Sequence, residues 1–446
     1  MTQGVVRLDL AQYRALEARL ASLIPPVRFS AAVNLKLERI TRLLALLGDP
    51  HTAYPTIHVG GTSGKGSTAT MTAAILTAAG YRTGLHTSPH LQLLNERHQI
   101  DGQIAPTADL AALLDEMWPA LEQVAQELPF GRPSYFEVQF ALAALWFARQ
   151  QVDVAVIEVG LGGTLDATNV IPARVAVLTS VGLDHTEILG DTIEQIISDK
   201  AGIIKPGQIV VTGVTQPSAR AIIAERCAAQ GATLWAIGEA FEGVRRGESA
   251  DIRLHSRIFP AITPALAGEF QFANAACAIA AAVAFAGDGL PLEPVRHAIA
   301  TARLPGRMET LQHHPLVILD GAHNPDKIGA AAAALPAHGR VILVLGLKAG
   351  KDLPAILHQV LPLASHFVAT EFGVKGLWLP NTAQEIAQAA AIVRPDLPVT
   401  VLPDAQEAVA HALALAGPDD LVWITGSLYL AGDVRERWFP LAQLLR

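Results

Sequence analysis

Cysteine is scarce in this chain of 446 residues: there are two, Cys227 and Cys277, and neither sits in a CxxC pair. So few thiols exclude a disulfide framework and a cysteine-based zinc site, and a reducing, cytoplasmic setting is the expectation. A basic excess is also lacking. The 33 Lys and Arg residues face 41 Asp and Glu, a formal net charge of -8, which argues against nucleic acid as a partner. An anionic small substrate remains compatible, because local charge governs a site. No stretch approaches the roughly 18–20 unbroken apolar residues of a membrane span. The opening MTQGVVRLDLAQYRALEARL carries charges throughout, unlike a signal peptide. Neither a membrane nor a nucleic acid is therefore an expected partner. With 51% hydrophobic and 17% charged residues, the chain reads as globular, of two or three domains, with a core that needs no staples.

Regular patterning is abundant. Apolar residues recur at three- and four-residue spacing over 8–23 and 33–47, which predicts two helices, the second ended by Gly48-Asp49-Pro50. YPTIHVGG (54–61) is an apolar run entering a glycine-rich turn, and TATMTAAILTAAG (68–80) follows as a helix. That strand–loop–helix unit opens an α/β fold. Residues 134–150 read as a helix, and 152–160, 175–182 and 208–214 as buried parallel strands. Residues 238–260 look less regular, and 274–287 form an alanine-rich helix. From about 300–306 a second unit begins, with strands at 315–320, 340–346, 366–372, 399–404 and 420–426. The expected fold class is α/β. An N-terminal P-loop-type domain with a mostly parallel sheet and a short helical extension (1–303) precedes a smaller Rossmann-like C-terminal domain (304–446).

The strongest local signal is GGTSGKGS, residues 60–67. Glycines let backbone N–H groups curl around phosphates, a lysine supplies a point charge, and the helix N-terminus adds its dipole. Gly61, Thr62, Ser63, Gly64, Lys65, Gly66 and Ser67 are thus candidates for gripping a nucleotide. The motif departs from Walker A: Gly66 follows Lys65 where Ser or Thr is usual, and Val59 holds the earlier glycine position. A glycine-rich turn with a solvated lysine is the plain alternative. Glu158 stands at the carboxyl end of a predicted strand, the edge at which open parallel sheets bind ligands. A carboxylate there suits Mg²⁺. His185 follows the end of the next strand, so the two side chains are expected to converge.

Several further stretches, in this order and spacing, resemble the folylpolyglutamate synthase/dihydrofolate synthase family of the Mur ligase superfamily. Beside GGTSGKGS they are TSPHL (87–91), YFE (135–137), IEVGLGGTLDATN (157–169), TSVGLDHTEILG (179–190), DKAGIIKPG (199–207), FQFANAACAIAA (270–281), LPGRME (304–309), LDGAHNP (319–325) and TGSLY (425–429). The resemblance implies that Ser88, Glu158 and His185 hold one or two Mg²⁺ beside the triphosphate of ATP, with Ser67 close by. It implies that Lys200, once carbamylated, joins them as an anionic ligand; a plain lysine paired with Asp199 or a phosphate is the alternative. A monovalent cation is a further possibility. Asn274, with Gln271, is implied near the nucleotide, although a helix N-cap would also suit an asparagine. Arg307 is implied to reach the phosphates, and Asp320 and His323 to face ATP and the incoming amino acid across the interdomain cleft. Ser427 falls on the amino-acid side. Tyr135 and Phe136 line a pteridine or benzoyl pocket, or else belong to the core. Asp166 and Asn169 fit turn chemistry, and Thr164 stands where the family usually has Arg.

The catalytic set is thus Lys65, Glu158, His185, Lys200, Asp320 and His323. The implied reaction is ATP-dependent ligation: the carboxylate of dihydropteroate, or the γ-carboxylate of a folate, becomes an acyl phosphate and then an amide of L-glutamate. A folylpolyglutamate synthase alone, another Mur-type amino-acid ligase, and a P-loop NTPase switch are the alternatives. The P-loop begins near residue 60, too early for the UDP-binding domain of a cell-wall ligase. ATP, L-glutamate and a pteroate or folate are the expected partners, and a monomer is the expected state.

Overall fold

A computed structural model describes residues 10–24, 37–127, 131–373 and 379–445. Eight strands build the first sheet: β1 (Thr56–Gly60), β2 (Thr83–His86), β3 (His98–Ile100), β4 (Gln103–Ile104), β5 (Val154–Glu158), β6 (Val175–Leu178), β7 (Ile209–Thr212) and β8 (Thr233–Ala236). Their order is β4-β3-β2-β5-β1-β6-β7-β8. The six from β2 to β8 run parallel, and β3 and β4 add an antiparallel edge.

Apolar side chains alternate between two cores across this sheet, as strand geometry requires. Val154 and Val156 of β5 join Ile57 and Val59 of β1, the helix Lys65–Ala78 and the alanine-rich helix Phe270–Ala286. Ala155 and Ile157 face the other way, onto the helix Tyr135–Arg149. Small alanines let helix Phe270–Ala286 pack with Ala275 to Ala282 essentially dehydrated.

The stretch read as less regular forms a meander: β9 (Phe241–Arg246), β10 (Ser249–Leu254) and β11 (Arg257–Ile262), with Gly247 at φ +65° in the first hairpin turn. Its outer face carries Glu242, Arg246 and Arg253, so apolar alternation survives on one side only, through Ala250, Ile252 and Leu254. The helices expected at 8–23 and 33–47 occupy Leu10–Ala21 and Glu38–Leu46, with 8–9 and 33–36 outside the described residues.

The second sheet contains β12 (Glu309–His313), β13 (Leu316–Leu319), β14 (Val341–Leu345), β15 (His366–Ala369), β16 (Val399–Val401) and β17 (Leu421–Thr425). The order is β12-β13-β17-β14-β15-β16, all parallel except the hairpin strand β12. The first sheet and its covering elements end with the helix Leu292–Thr301, and the second begins at Glu309. In the first sheet the chain leaves β1 for β2 on one side and later leaves β5 for β6 on the other. A crevice therefore opens beyond the carboxyl end of β1, flanked by the ends of β5 and β6. The second sheet presents the ends of β13 and β14 toward it, since Lys327 and Lys351, which follow them, pair with Asp184 after β6.

Candidate functional site

Residues 61–64 link β1 to the helix Lys65–Ala78, and two glycines make the turn possible. Gly61 has φ +141°, and a methyl group there would stand 2.0 Å from Thr179 Oγ1. Gly64 has φ +82°, and a methyl group there would meet Asn274 Oδ1 at 2.3 Å. The loop is tied down from the end of β6. Thr62 N donates to Ser180 O at 2.9 Å, Ser63 N donates to Ser180 Oγ at 3.0 Å, and Thr179 Oγ1 donates to Ser63 O at 2.6 Å. Thr62 Oγ1 also exchanges hydrogen bonds with the backbone of Gly182. Sequence reasoning did not single out Thr179 and Ser180; their signal was a Thr-Ser pair directly after a predicted strand. Lys65 Nζ folds back to donate to Gly61 O at 3.1 Å.

Asn274 lies in the second turn of helix Phe270–Ala286, not at its N-cap, because the helix starts four residues earlier than the alanine run suggested. Asn274 Nδ2 donates to Gln271 Oε1 at 2.9 Å, and Gln271 Nε2 donates to Ser67 Oγ at 3.3 Å. The pair thus braces both ends of the loop.

Glu158 closes β5 opposite Val59 and is 5% exposed. Oε2 accepts from Ser88 N at 2.9 Å. Burial pushes its carboxyl above the usual range, while Lys65, the Ser88 amide, Arg307 and Arg97 oppose that shift. Oε1 takes no hydrogen bond among the described residues. With the hydroxyls of Ser67 and Ser88, this is a hard-oxygen donor set that fits Mg²⁺. His185 follows β6, the next strand edge of the crevice. It has φ +54°, ahead of the short helix Thr186–Leu189, and its ring nitrogens lie 3.9 Å from Asp184 and from Glu187. No hydrogen bond or ion pair joins it directly to Glu158. No group of three or more His, Cys, Asp or Glu gathers into a metal cluster among the described residues.

Lys200 is 4% exposed and donates from Nζ to Gly61 O at 3.1 Å, the same carbonyl that Lys65 uses. Burial first, and Lys65 second, push its amine down to about 7. Thr164, at the position where an Arg was expected from the resemblance, is used structurally: its N and Oγ1 both donate to Asp199 O, at 3.0 and 2.9 Å. Asp166 accepts from Leu161 N and Thr168 N, and Asn169 Nδ2 donates to Thr164 O and Gly202 O. Those two residues hold the loop that carries Gly160–Gly163.

Across the crevice, Asp320 follows β13 and is 6% exposed. Its oxygens accept from Met308 N (2.9 Å) and Ala322 N (2.8 Å); burial raises its pKa and Arg307 opposes. Surrounding protein pushes His323 down to about 3, so the imidazole is neutral. Its Nδ1 donates to Gly321 O at 2.9 Å, which leaves the lone pair on Nε2. Ser427 Oγ accepts from Tyr429 N at 3.1 Å and caps the helix Leu428–Arg435.

Tyr135 and Phe136 open the helix Tyr135–Arg149, capped by Ser134 and Glu137. Both are partly exposed, and the Phe136 ring lies so near Gly160 that a methyl group there would come within 2.4 Å of it.

The two units are tied by an ion cluster that sequence reasoning missed. Asp184, its side chain 7% exposed, meets Lys327 Nζ at 2.9 Å and Lys351 Nζ at 3.3 Å. Asn324 Nδ2 donates to it at 3.3 Å. These cations hold its carboxyl far below the usual range despite burial. Nothing in the local sequence around Lys327 or Lys351 marks them, because their partner lies in the other unit.

Residues 59–282 match the Mur ligase middle domain, and residues 306–428 match the Mur ligase glutamate ligase domain. The chain is 35% identical over 428 residues to the dihydrofolate synthase/folylpolyglutamate synthase of Bacillus subtilis, covering 92% of this chain and 96% of that protein. It is 38% identical over 419 residues to the folylpolyglutamate synthase of Lacticaseibacillus casei, covering 90% and 93%. Among solved structures, Mycobacterium tuberculosis folylpolyglutamate synthase complexed with ADP and AMPPCP superposes with a TM-score of 0.87 at 34% identity, covering 96% of this chain and 98% of that one. E. coli FolC in complex with DHPP and ADP gives 0.84 at 30% identity, covering 95% and 97%.

Proposed function

The chain belongs to the dihydrofolate synthase/folylpolyglutamate synthase family of Mur ligases, and from that premise we propose that it adds L-glutamate to dihydropteroate and to the γ-carboxylate of folates at the expense of ATP. The observation that carries this reading is the loop beyond β1. The helix N-terminus stands there beside Glu158, whose Oε1 would be 3.6 Å from a methyl group on Gly66, and the charges of Lys65 and Arg307 both act on that carboxylate; Arg307 also acts on Asp320. Residues 1–303 then supply the nucleotide side and 304–446 the amino-acid side.

The reaction follows from this placement. The acceptor carboxylate attacks the γ-phosphorus of ATP, the bond to the bridging oxygen breaks, and ADP leaves. Lys65, the amides of Gly64–Ser67 at the helix N-terminus and Arg307 spread the charge of the transferring group. Gln271 and Asn274 hold the loop in shape. Ser67, Ser88, Glu158 and His185 would hold Mg²⁺, with Lys200 if carbamylated, and the bound ion would neutralise part of the triphosphate charge. Burial brings the Lys200 amine down to about 7, so a substantial uncharged fraction, the form that captures CO₂, exists at neutral pH.

Glutamate enters from the second unit, beside Asp320, His323 and Ser427. Its deprotonated amine attacks the acyl carbon, and the tetrahedral intermediate expels phosphate to leave the amide. No enzyme nucleophile is needed, so positioning and electrostatics supply the rate. Neutral His323 offers Nε2 as a hydrogen-bond acceptor to the amine without adding charge.

The test is direct. Purified protein is incubated with ATP, Mg²⁺, L-glutamate and either dihydropteroate or tetrahydrofolate, and glutamate additions are read by mass spectrometry. Gain of glutamate on both acceptors is expected. Gain on tetrahydrofolate alone reduces the activity to tail extension, and gain on neither defeats the assignment.

A further inference from the structure

Arg97 ends the helical turn Leu94–Arg97 ahead of β3 and is 7% exposed. Its Nε donates to His90 Nδ1 at 2.8 Å, and its guanidinium carbon lies 5.5 Å from the centre of the Tyr135 ring. Among the described residues no carboxylate comes within ion-pair distance of it, and its two terminal nitrogens make no hydrogen bond. The adjacent Glu96 is occupied elsewhere: its oxygens accept from the backbone of Leu91, Gln92 and Leu93 at 2.7, 3.0 and 2.9 Å. A guanidinium this buried ordinarily has an anionic partner, because removing it from water without one is costly.

The direction of Arg97 is fixed by what surrounds it. Its charge bears on Glu158, at the end of β5, and on Tyr429, in the second unit. It lies over the Tyr135 ring, on the helix that also carries Phe136, close enough to Glu158 and Tyr429 for its charge to act on both. An acceptor with an aromatic ring system and a carboxylate must bridge these places. Its rings need an apolar wall, and its carboxylate must reach the phosphorus held near Glu158 and Lys65.

We propose that Arg97 binds the reacting carboxylate of the acceptor through its two terminal nitrogens, with His90 fixing the guanidinium from behind and Tyr135 against its face. The fork geometry of arginine matches a carboxylate in this way, and lysine does not reproduce it. The inference rests on the folate-ligase reading of the site.

The experiment measures equilibrium binding of pteroate and of its methyl ester to the full chain in the presence of ADP, for the wild type, Arg97→Met, Arg97→Lys and His90→Ala. Pteroate has a single carboxylate, and the ester removes its charge while keeping the rings. The wild type should prefer the acid by about tenfold or more, the worth of a charge-assisted pair. In Arg97→Met the acid should lose that advantage, with ester and ADP affinity unchanged. Arg97→Lys should keep part of it, and His90→Ala should weaken the acid alone.

An unchanged acid-to-ester ratio in Arg97→Met overturns the proposal. So does loss of ADP affinity with pteroate affinity intact, which would give the guanidinium to the nucleotide. Retained ADP binding shows that a variant is folded, and Arg97→Lys carries the test if the methionine variant is not. A wild type that binds neither pteroate nor its ester defeats the folate reading itself, and the inference with it.

Discussion

Lys65 and Lys200 direct their ammonium groups at one carbonyl, that of Gly61. Two amine side chains converging on one neutral acceptor at a helix N-terminus form a site that suits an anion. Replacing Lys65 by Ala should therefore cut kcat/KM by about 100-fold or more, with little change in thermal stability; initial rates of ADP release against a melting curve check this. Glu158 differs in kind, because its unbonded oxygen is the feature that suits a cation. Glu158→Ala should raise the Mg²⁺ concentration needed for half-maximal rate by at least roughly tenfold. A Mg²⁺ titration unchanged from wild type would show the ion to be held elsewhere.

The Gly61–Ser67 loop works as an element, braced by Thr179 and Ser180 after β6 and by Gln271 and Asn274 of the helix Phe270–Ala286. Gly61→Ala would drive a methyl group to 2.0 Å from Thr179 Oγ1 at φ +141°, a conformation that alanine rarely adopts. A displacement of about 1 Å in a loop that positions phosphate is enough to lose about 100-fold in rate. Steady-state kinetics of this variant should thus resemble those of the lysine variant, although every charge is retained. The first sheet carries a second consequence. His58, His86 and His98 are fully buried. Burial pushes His58 and His98 down to about 3, and His86 well below its ordinary value. The unfolded chain binds protons on these rings near 6.5 and the folded chain does not. Their contribution is therefore fully present above about 6.5 and is lost as pH falls from there toward 3. Denaturant midpoints should drop steadily over that window, and His98→Asn should make the slope shallower.

At the scale of the whole molecule, Asp184 joins the two units. Its neutral replacement Asp184→Asn leaves Lys327 and Lys351 facing each other without their shared anion. Breaking a fully buried pair costs about 3–5 kcal/mol. The lysine side chains keep 22% and 19% of their surface, so water screens them and about 1–3 kcal/mol is expected. Lys327→Met in the same chain should recover part of that loss, which a double-mutant cycle on denaturant midpoints would measure. An additive cycle would show that the ion pair contributes nothing to the junction.

The sequence by itself determined the α/β alternation and the family, because periodicity and motif order are local properties written along the chain. β1, β5, β6, β7 and five strands of the second sheet, β13 to β17, were legible as apolar runs, and the glycine-rich loop as glycines around Lys65; β12, the polar hairpin strand, was not. What the tertiary structure decided is everything that depends on a partner distant in sequence. The meander at 241–262 hid because half of each strand faces water. Asn274 gained its place from where a helix began, and Thr179 and Ser180 from a crossover that sets β6 beside β1. Asp184 owes its surroundings to the packing of one unit on the other, and Arg97 owes its aromatic neighbour to the helix Tyr135–Arg149. A charge some 140 residues away from its counter-ion, as Asp184 is from Lys327, leaves no periodicity to read; only folding brings the two together.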